Sequence, residues 1–381
     1  MLQNLTTLHH DLGFTDEYSL EILRNGAAID ALAREWNDLP QSRANPLLAA
    51  DWFAVAAHTF ETPTETLAIR RRGELVGVAP LGTDFRAGVA RLQPLGVRAL
   101  HEPSGLLYRD ADALEMLCKA LIDQRRPLIL QRMPYAGTLR AALARAARNR
   151  GVLHEVATPS APIVNFTGDG DVAAFEAKLS SRRRQDYRRG RRGLERSGAV
   201  TFDLRVPSVS SVAADLEEAM LIEASSWKSR GGSTLLRTGR LRAFFHEYAR
   251  RMAANGQLRI AFLRVDGVGV AMQLIIEHAS RFWIYKVGYD EKWAEHSPGV
   301  QLMWDVMRHA CESRMAGVEL LGKVEEWLSI WARDVREYRT LIFYPYNLRG
   351  LGAVAADAAH ALANRFQLQL GRSRNTSVSG L

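Results

Sequence analysis

Two cysteines among 381 residues, Cys118 and Cys311, are too few to staple a disulfide scaffold. Both stand in helix-like stretches and read as reduced, buried thiols of a cytosolic protein, with a bridge between them as the lesser alternative. His309 lies two residues from Cys311, which on a helix aims the pair at different faces, so no metal pair is read there. No apolar run approaches the roughly 20 residues that a membrane span needs. The N-terminal MLQNLTTLHHDLG lacks a basic start and an apolar core, so it does not read as a signal peptide. Also missing are G-x-x-x-x-G-K-[ST], G-x-S-x-G, H-E-x-x-H and a dinucleotide fingerprint between strand and helix. NTPase, serine hydrolase, zinc protease and nicotinamide chemistry therefore lack their parts. Gly267-Val268-Gly269 sits inside a hairpin pattern and reads as a turn.

What is there is globular. Hydrophobic residues make up 47% and charged residues 24%, enough for two domains with cores of their own. The net charge of +8 favours anionic partners: a CoA diphosphate, an anionic lipid or glycan, or RNA.

The order of patterns repeats. Residues 1–29 read as an N-terminal arm. From Asp30, Leu32, Trp36 and Leu39 fall at helical spacing, and Asn45-Pro46 starts a second helix that buries Trp52 and Val55. Short β-rich runs broken by Gly73 and Gly82 follow, then helix 111–123, strand 127–133 and a helix closed by Gly151. The second half has a basic helix at 178–196, interrupted at Gly190, then strand 200–206 and two helices. A hairpin turning at Asp266-Gly267, an aromatic strand at 281–290, helix 299–317 and a short strand come next. A helix near 326–338 and a strand at 340–347 close this half. The expectation is mixed α/β (α+β) order with internal duplication: units at 30–158 and 159–348 joined within 152–170, then a helix and disordered tail at 349–381, with the polar tail from Arg372.

Chemistry concentrates in 281–322. An aromatic strand ends near Gly288 and Tyr289, a polar loop follows, and His296-Ser297-Pro298-Gly299 launches a helix. Ser297 fits the N-cap and Pro298 the first helical position. Free amides at the positive end of a helix dipole suit a phosphate; an ordinary capped turn is the plainer alternative. Lys286 is unusual in an aromatic strand. Alternation sets it opposite Tyr285, either to meet an anionic substrate or an oxyanion, or to hold its head in water. His296 is a loop base or a surface histidine. Seven arginines, Arg182, Arg183, Arg184, Arg188, Arg189, Arg191 and Arg192, crowd eleven positions. They serve either as an arm for anionic lipid, glycan or RNA or as a helix with structural ion pairs, the second being favoured. With Tyr187 alone among them, base stacking on single strands has little support.

The succession of strand, Gly-Tyr-Asp, polar loop, Ser-Pro-Gly and amphipathic helix resembles the CelD/BcsL acetyltransferase family. It is also similar to the FemABX aminoacyl transferases, which share the doubled GNAT-like fold. Glu35-Trp36, Asn45-Pro46, Trp52, the strand Leu75 to Leu81 and the basic helix agree, so the likeness runs over about residues 30–345. The resemblance implies two tandem GNAT-like domains and an acyl-CoA co-substrate, acetyl-CoA in the simplest case, with no metal. It implies a pyrophosphate held by the turn Ser297, Pro298, Gly299, Val300 and Gln301, where Gly299 permits close approach. It also implies an envelope glycan, exopolysaccharide or cellulose-related acceptor, with association with a polysaccharide-synthesis complex or an anionic membrane surface.

The sequence departs from that pattern twice. Ser-Pro-Gly-Val-Gln replaces the usual Gln/Arg-x-x-Gly-x-Gly/Ala. Leu321 to Ser329 keeps an acidic pair, Glu325-Glu326, but not the Tyr-Lys that relatives carry. The catalytic candidates are Glu325 or Glu326 as base, with Tyr289 and Lys286 beside them; for the acidic pair, a solvated helix start is the alternative. Two rival functions stay open: FemABX-like transfer from aminoacyl-tRNA to a peptidoglycan precursor, and a degenerate scaffold without catalysis.

Overall fold

The computed structural model describes residues 17–60, 63–135, 137–226, 239–322, 327–328, 330–332 and 334–376, with side chains to residue 363. In chain order the first half runs β1 (Tyr18–Leu23), α1 (Gly26–Ala31), α2 (Ala33–Asn37), α3 (Pro40–Ala44), α4 (Ala50–Thr59), β2 (Thr66–Arg71), β3 (Glu74–Ala79), β4 (Leu81–Arg86), β5 (Val89–Pro94), α5 (Val97–Leu100), β6 (Leu107–Tyr108), α6 (Ala111–Asp123), β7 (Leu128–Pro134), α7 (Gly137–Ala147) and β8 (Gly151–Asn165). The second half runs α8 (Val172–Ala177), α9 (Ser181–Glu195), β9 (Val200–Arg205), α10 (Val212–Ala224), α11 (Gly239–Ala254), β10 (Leu258–Val265), β11 (Val268–His278), β12 (Arg281–Tyr289), α12 (Pro298–Glu312), β13 (Gly317–Glu319), β14 (Asp334–Pro345) and α13 (Leu348–Thr376).

The architecture is mixed α/β, with sheets flanked by helices. Strands β1-β2-β3-β6 form one sheet, and β4-β5-β7-β14-β8-β13-β12-β11-β10-β9 form a second that passes through both halves. Pairings are antiparallel except β5 with β7 and β12 with β13. The Asp266-Gly267 turn between β10 and β11 has both residues at positive φ, as a two-residue hairpin demands. Cys118 and Cys311 are free and buried. No helix among the described residues is long and apolar enough to cross a membrane.

Several expectations change. The arm read over 1–29 contains β1, because YSLEIL alternates and lays Leu20 and Ile22 against the core while Glu21 pairs with Arg70 of β2 at 2.8 Å. The helix expected from Asp30 is three short ones around Trp36, whose indole donates to the Leu48 carbonyl at 2.8 Å. The stretch 152–165, read as part of a join from its prolines and glycines, is mostly β8, paired with β14 on one side and β13 on the other. Helix α9 runs unbroken through Gly190. No helix spans 334–338: β14 starts at Asp334, and its long ladder with β8 outweighs the local helical pattern. This strand, expected to close the second half, lies between β7 and β8 of the first. Arg372–Thr376, read as tail, continues α13.

Candidate functional site

Strand β12 organises the site. Opposite it, β11 slips by one residue between Leu274 and Ile275, leaving Tyr285 as the extra residue of a β-bulge. The bulge breaks the expected alternation, so Tyr285 and Lys286 both face α11. The Tyr285 hydroxyl lies 3.3 Å from that of Tyr248, and Lys286 Nζ sits 5.1 Å from the centre of the Phe245 ring. Lys286 thus rests on an aromatic face rather than standing free in water.

The same face carries a carboxylate that sequence reasoning missed. Glu102, in the loop between α5 and β6, is buried. Burial pushes its carboxyl above the usual carboxylate range, and the charges of Lys286 and Arg132 pull it partly back. Arg132 of β7 donates to the carbonyls of His101 and, at 3.1 Å, of Leu321, just past β13, and its guanidinium lies 5.6 Å from the centre of the Tyr338 ring. Glu102 and Arg132 come from the first half, Lys286 and Tyr285 from the second, and Tyr338 from β14. No linear spacing links them, and His101-Glu102-Pro103 carries no motif. Hence the pattern was invisible.

On the other face of β12, Val287 and Tyr289 look toward α12. There a cavity of about 440 Å³ opens between the end of β12 and the first turn of α12, lined by Gln273, Gly288, Tyr289, Gly299 and Val300 among others. Gln273 is buried; its amide nitrogen approaches Met303 Sδ at 3.7 Å and its Oε1 has no partner among the described residues. Tyr289 stands over Gly299, where an added Cβ would lie 3.3 Å from its ring.

The expected anion turn is built differently from its reading. Residues Glu291–His296 wind into a 3-10 helix, and Ser297 takes a left-handed conformation (φ 52°) with no side-chain cap bond. The amides of Val300 and Gln301 both donate to the Ser297 carbonyl, at 2.9 and 3.1 Å. Pro298 has no amide hydrogen, so of the first turn only Gly299 N–H is left to meet a ligand. Ser297→Ala is therefore expected to change unfolding free energy by less than about 0.5 kcal/mol, below the ~1 kcal/mol of a lost cap. Denaturant unfolding checks this.

The structure therefore separates the sequence candidates. Tyr289 lies with Ser297 and Gly299 on the cavity side, and Lys286 lies with Glu102 on the opposite side. Glu325 and Glu326 fall outside the described residues. His296 pairs with Glu295 at 3.3 Å beside α9. Among the described residues no cluster of three His, Cys, Asp or Glu side chains could hold a metal ion.

Residues 181–328, which contain the bulged strand, the cavity beside it and α12 but not Glu102, Arg132 or Tyr338, match the family described as acetyltransferase (GNAT) domain. Over those residues the chain is similar to a GNAT acetyltransferase domain. The fold around that domain is similar to that of FemX (TM-score 0.54, 11% identity, 82% of this chain and 95% of that chain). It is also similar to a conserved protein of unknown function from Bacteroides thetaiotaomicron (0.53, 12%, 84% and 99%). A third likeness is to the C-terminal domain of an inferred lysylphosphatidylglycerol synthetase from Agrobacterium fabrum (0.52, 12%, 88% and 95%). No curated protein matches. The GNAT domain and its doubled setting agree with what the resemblance implied.

Proposed function

We propose that the protein transfers an acyl group from a CoA thioester to an amine or hydroxyl, in the manner of the CelD/BcsL enzymes, with an envelope glycan or exopolysaccharide precursor as acceptor. The observation that carries the reading is the apolar cavity between β12 and α12, inside the GNAT domain. It reaches Gly288 on β12, the strand whose opposite side carries Lys286, so the reading sets the thioester at this edge of the strand, between the two sides. In this reading the acyl arm lies against Val287, Gly288 and Tyr289, and Gly299 N–H meets a donor phosphate. The acceptor lone pair attacks the thioester carbon, its proton passes to the Glu102 carboxylate, the C–S bond breaks and CoA leaves as thiolate. Lys286 offers positive charge to the oxyanion. The chain divides near residue 158 into two GNAT-like units that share β14, and it works in the cytosol.

Glu102→Gln is expected to lower kcat about 100-fold or more with little change in donor affinity. Because burial raises the Glu102 carboxyl, wild-type activity should climb with pH through a midpoint above the ordinary carboxylate range as the base loses its proton. That limb should vanish in the variant. A pH–rate profile with acetyl-CoA checks both, and an unchanged limb removes Glu102 from the mechanism.

A second reading, FemX-like transfer from aminoacyl-tRNA, is favoured by one observation. Arg183 of α9, beside the same turn, has no side-chain partner among the described residues. Thermal shifts with acetyl-CoA, longer acyl-CoAs and charged tRNA separate the two, since a ligand that binds only the folded state raises its melting temperature.

A further inference from the structure

Helix α9 is docked, not free-standing. Gly190 and Gly193 face the start of α12: a Cβ on Gly190 would lie 2.6 Å from Gln301 Nε2, and one on Gly193 would lie 2.5 Å from His296 Nδ1. Gly190, which read as a break in the sequence, and Gly193 instead let the helix backbone approach the donor turn. Arg191 fastens it there through Asp305 at 2.8 Å, and Tyr187 stacks on Trp304 with ring centres 4.0 Å apart.

Beside this contact lies a second cavity, of about 390 Å³. It shares Ser297 and Val300 with the 440 Å³ cavity, so the two flank one helical turn. Its character is different. Arg183, Arg189 and Arg196 stand at its rim with Asp186 and Glu295. Arg189 is partly engaged by Asp186 at 3.3 Å, whereas the exposed side chains of Arg183 and Arg196 have no partner among the described residues. Aromatic Tyr187, Trp304 and Trp331 line it. Gln301, 1% exposed, donates Nε2 to the Tyr187 carbonyl at 3.0 Å, while its Oε1 meets no donor among the described residues. The buried Trp331 Nε1 meets no acceptor among the described residues. An unmet acceptor, an unmet donor, flat aromatic walls and cations at the mouth together match a purine carrying phosphates.

We propose that the cavity between α9 and the first turn of α12 holds the nucleotide end of the acyl donor, its phosphates on Arg183 and Arg196 and its purine against the aromatic walls. The inference rests on the donor reading above and extends it. The charge that the turn's own amides do not supply, with Val300 and Gln301 already bonded, comes from the arginine helix.

The test titrates full-length protein with CoA, 3′-dephospho-CoA, pantetheine and a tRNA acceptor-stem minihelix, comparing wild type with the R183Q/R196Q double variant. Both side chains are exposed, so the fold should be kept. The expected result is a loss of CoA affinity of about tenfold or more, a smaller loss for dephospho-CoA, and none for pantetheine. The difference should shrink as salt rises. If the wild type instead binds the minihelix and not CoA, and the variant loses it, the nucleotide site stands while the CoA reading falls. Unchanged CoA affinity in the double variant overturns the site and leaves the donor cavity intact. No binding of any nucleotide by the wild type overturns both.

Discussion

Gly299→Val is expected to cut acyl-CoA affinity by about tenfold or more while leaving α12 formed. The residue stands in the first turn of α12, where valine is by intrinsic propensity no worse a helix former than the glycine it replaces. Its cost lies elsewhere. A Cβ here already comes within 3.3 Å of Tyr289, and the two further methyl groups have only the 440 Å³ cavity to enter. They would also screen the one first-turn amide not committed to Ser297. Gly299→Ala should fall between wild type and valine, because Tyr289 need yield only slightly. Calorimetric titration with acetyl-CoA, paired with a thermal melt, reads both parts. A folded valine variant with wild-type affinity would place the donor elsewhere and bring the non-catalytic scaffold to the front.

Removing the Glu319 carboxylate is expected to destabilise the fold by about 3–5 kcal/mol. Glu319 ends β13 and is 2% exposed. Its Oε1 lies 2.8 Å from Arg281 Nε of β12, and Arg336 of β14 donates to both oxygens, at 2.8 and 2.6 Å. One carboxylate thus holds guanidinium groups from two strands, and Arg281 is itself largely buried, so Glu319→Gln leaves that cation without its counter-charge. Arg336, nearly half exposed, can turn to water. Arg336→Gln should therefore cost much less than Glu319→Gln. Denaturant unfolding of the two variants checks the order, and a Glu319→Gln loss below about 1 kcal/mol would refute it.

The legible part of this protein was whatever depends on neighbours in sequence. The Asp266-Gly267 hairpin, the amphipathic α6 and α12, and the succession of elements through β12 and α12 could be read because period and turn chemistry are local. The illegible part is made by distant pairing. The YSLEIL strand is too short to announce itself before TLAIRR supplies a partner. The residues from Asp334 have a helical pattern but meet a β8 ladder. In the site, the one-residue slip opposite Tyr285 reversed the face expected of Lys286, and no periodicity records such a slip. Glu102 and Arg132 reach Lys286 only because the two halves meet there. Gly190 could be singled out as an exception in a helix, but whether it breaks a helix or allows a close approach depends on what lies in front of it.

The position of β14 has a consequence for synthesis. Its partners β7 and β8 are complete by residue 165, yet the strand that separates them does not begin until Asp334. While the intervening chain is being made, those two strands either wait with open edges or pair wrongly with each other, and loop closure over such a span is slow. The first half, though made before the second, is thus among the last parts to be finished, because β14 must enter between β7 and β8 before that part of the sheet can close.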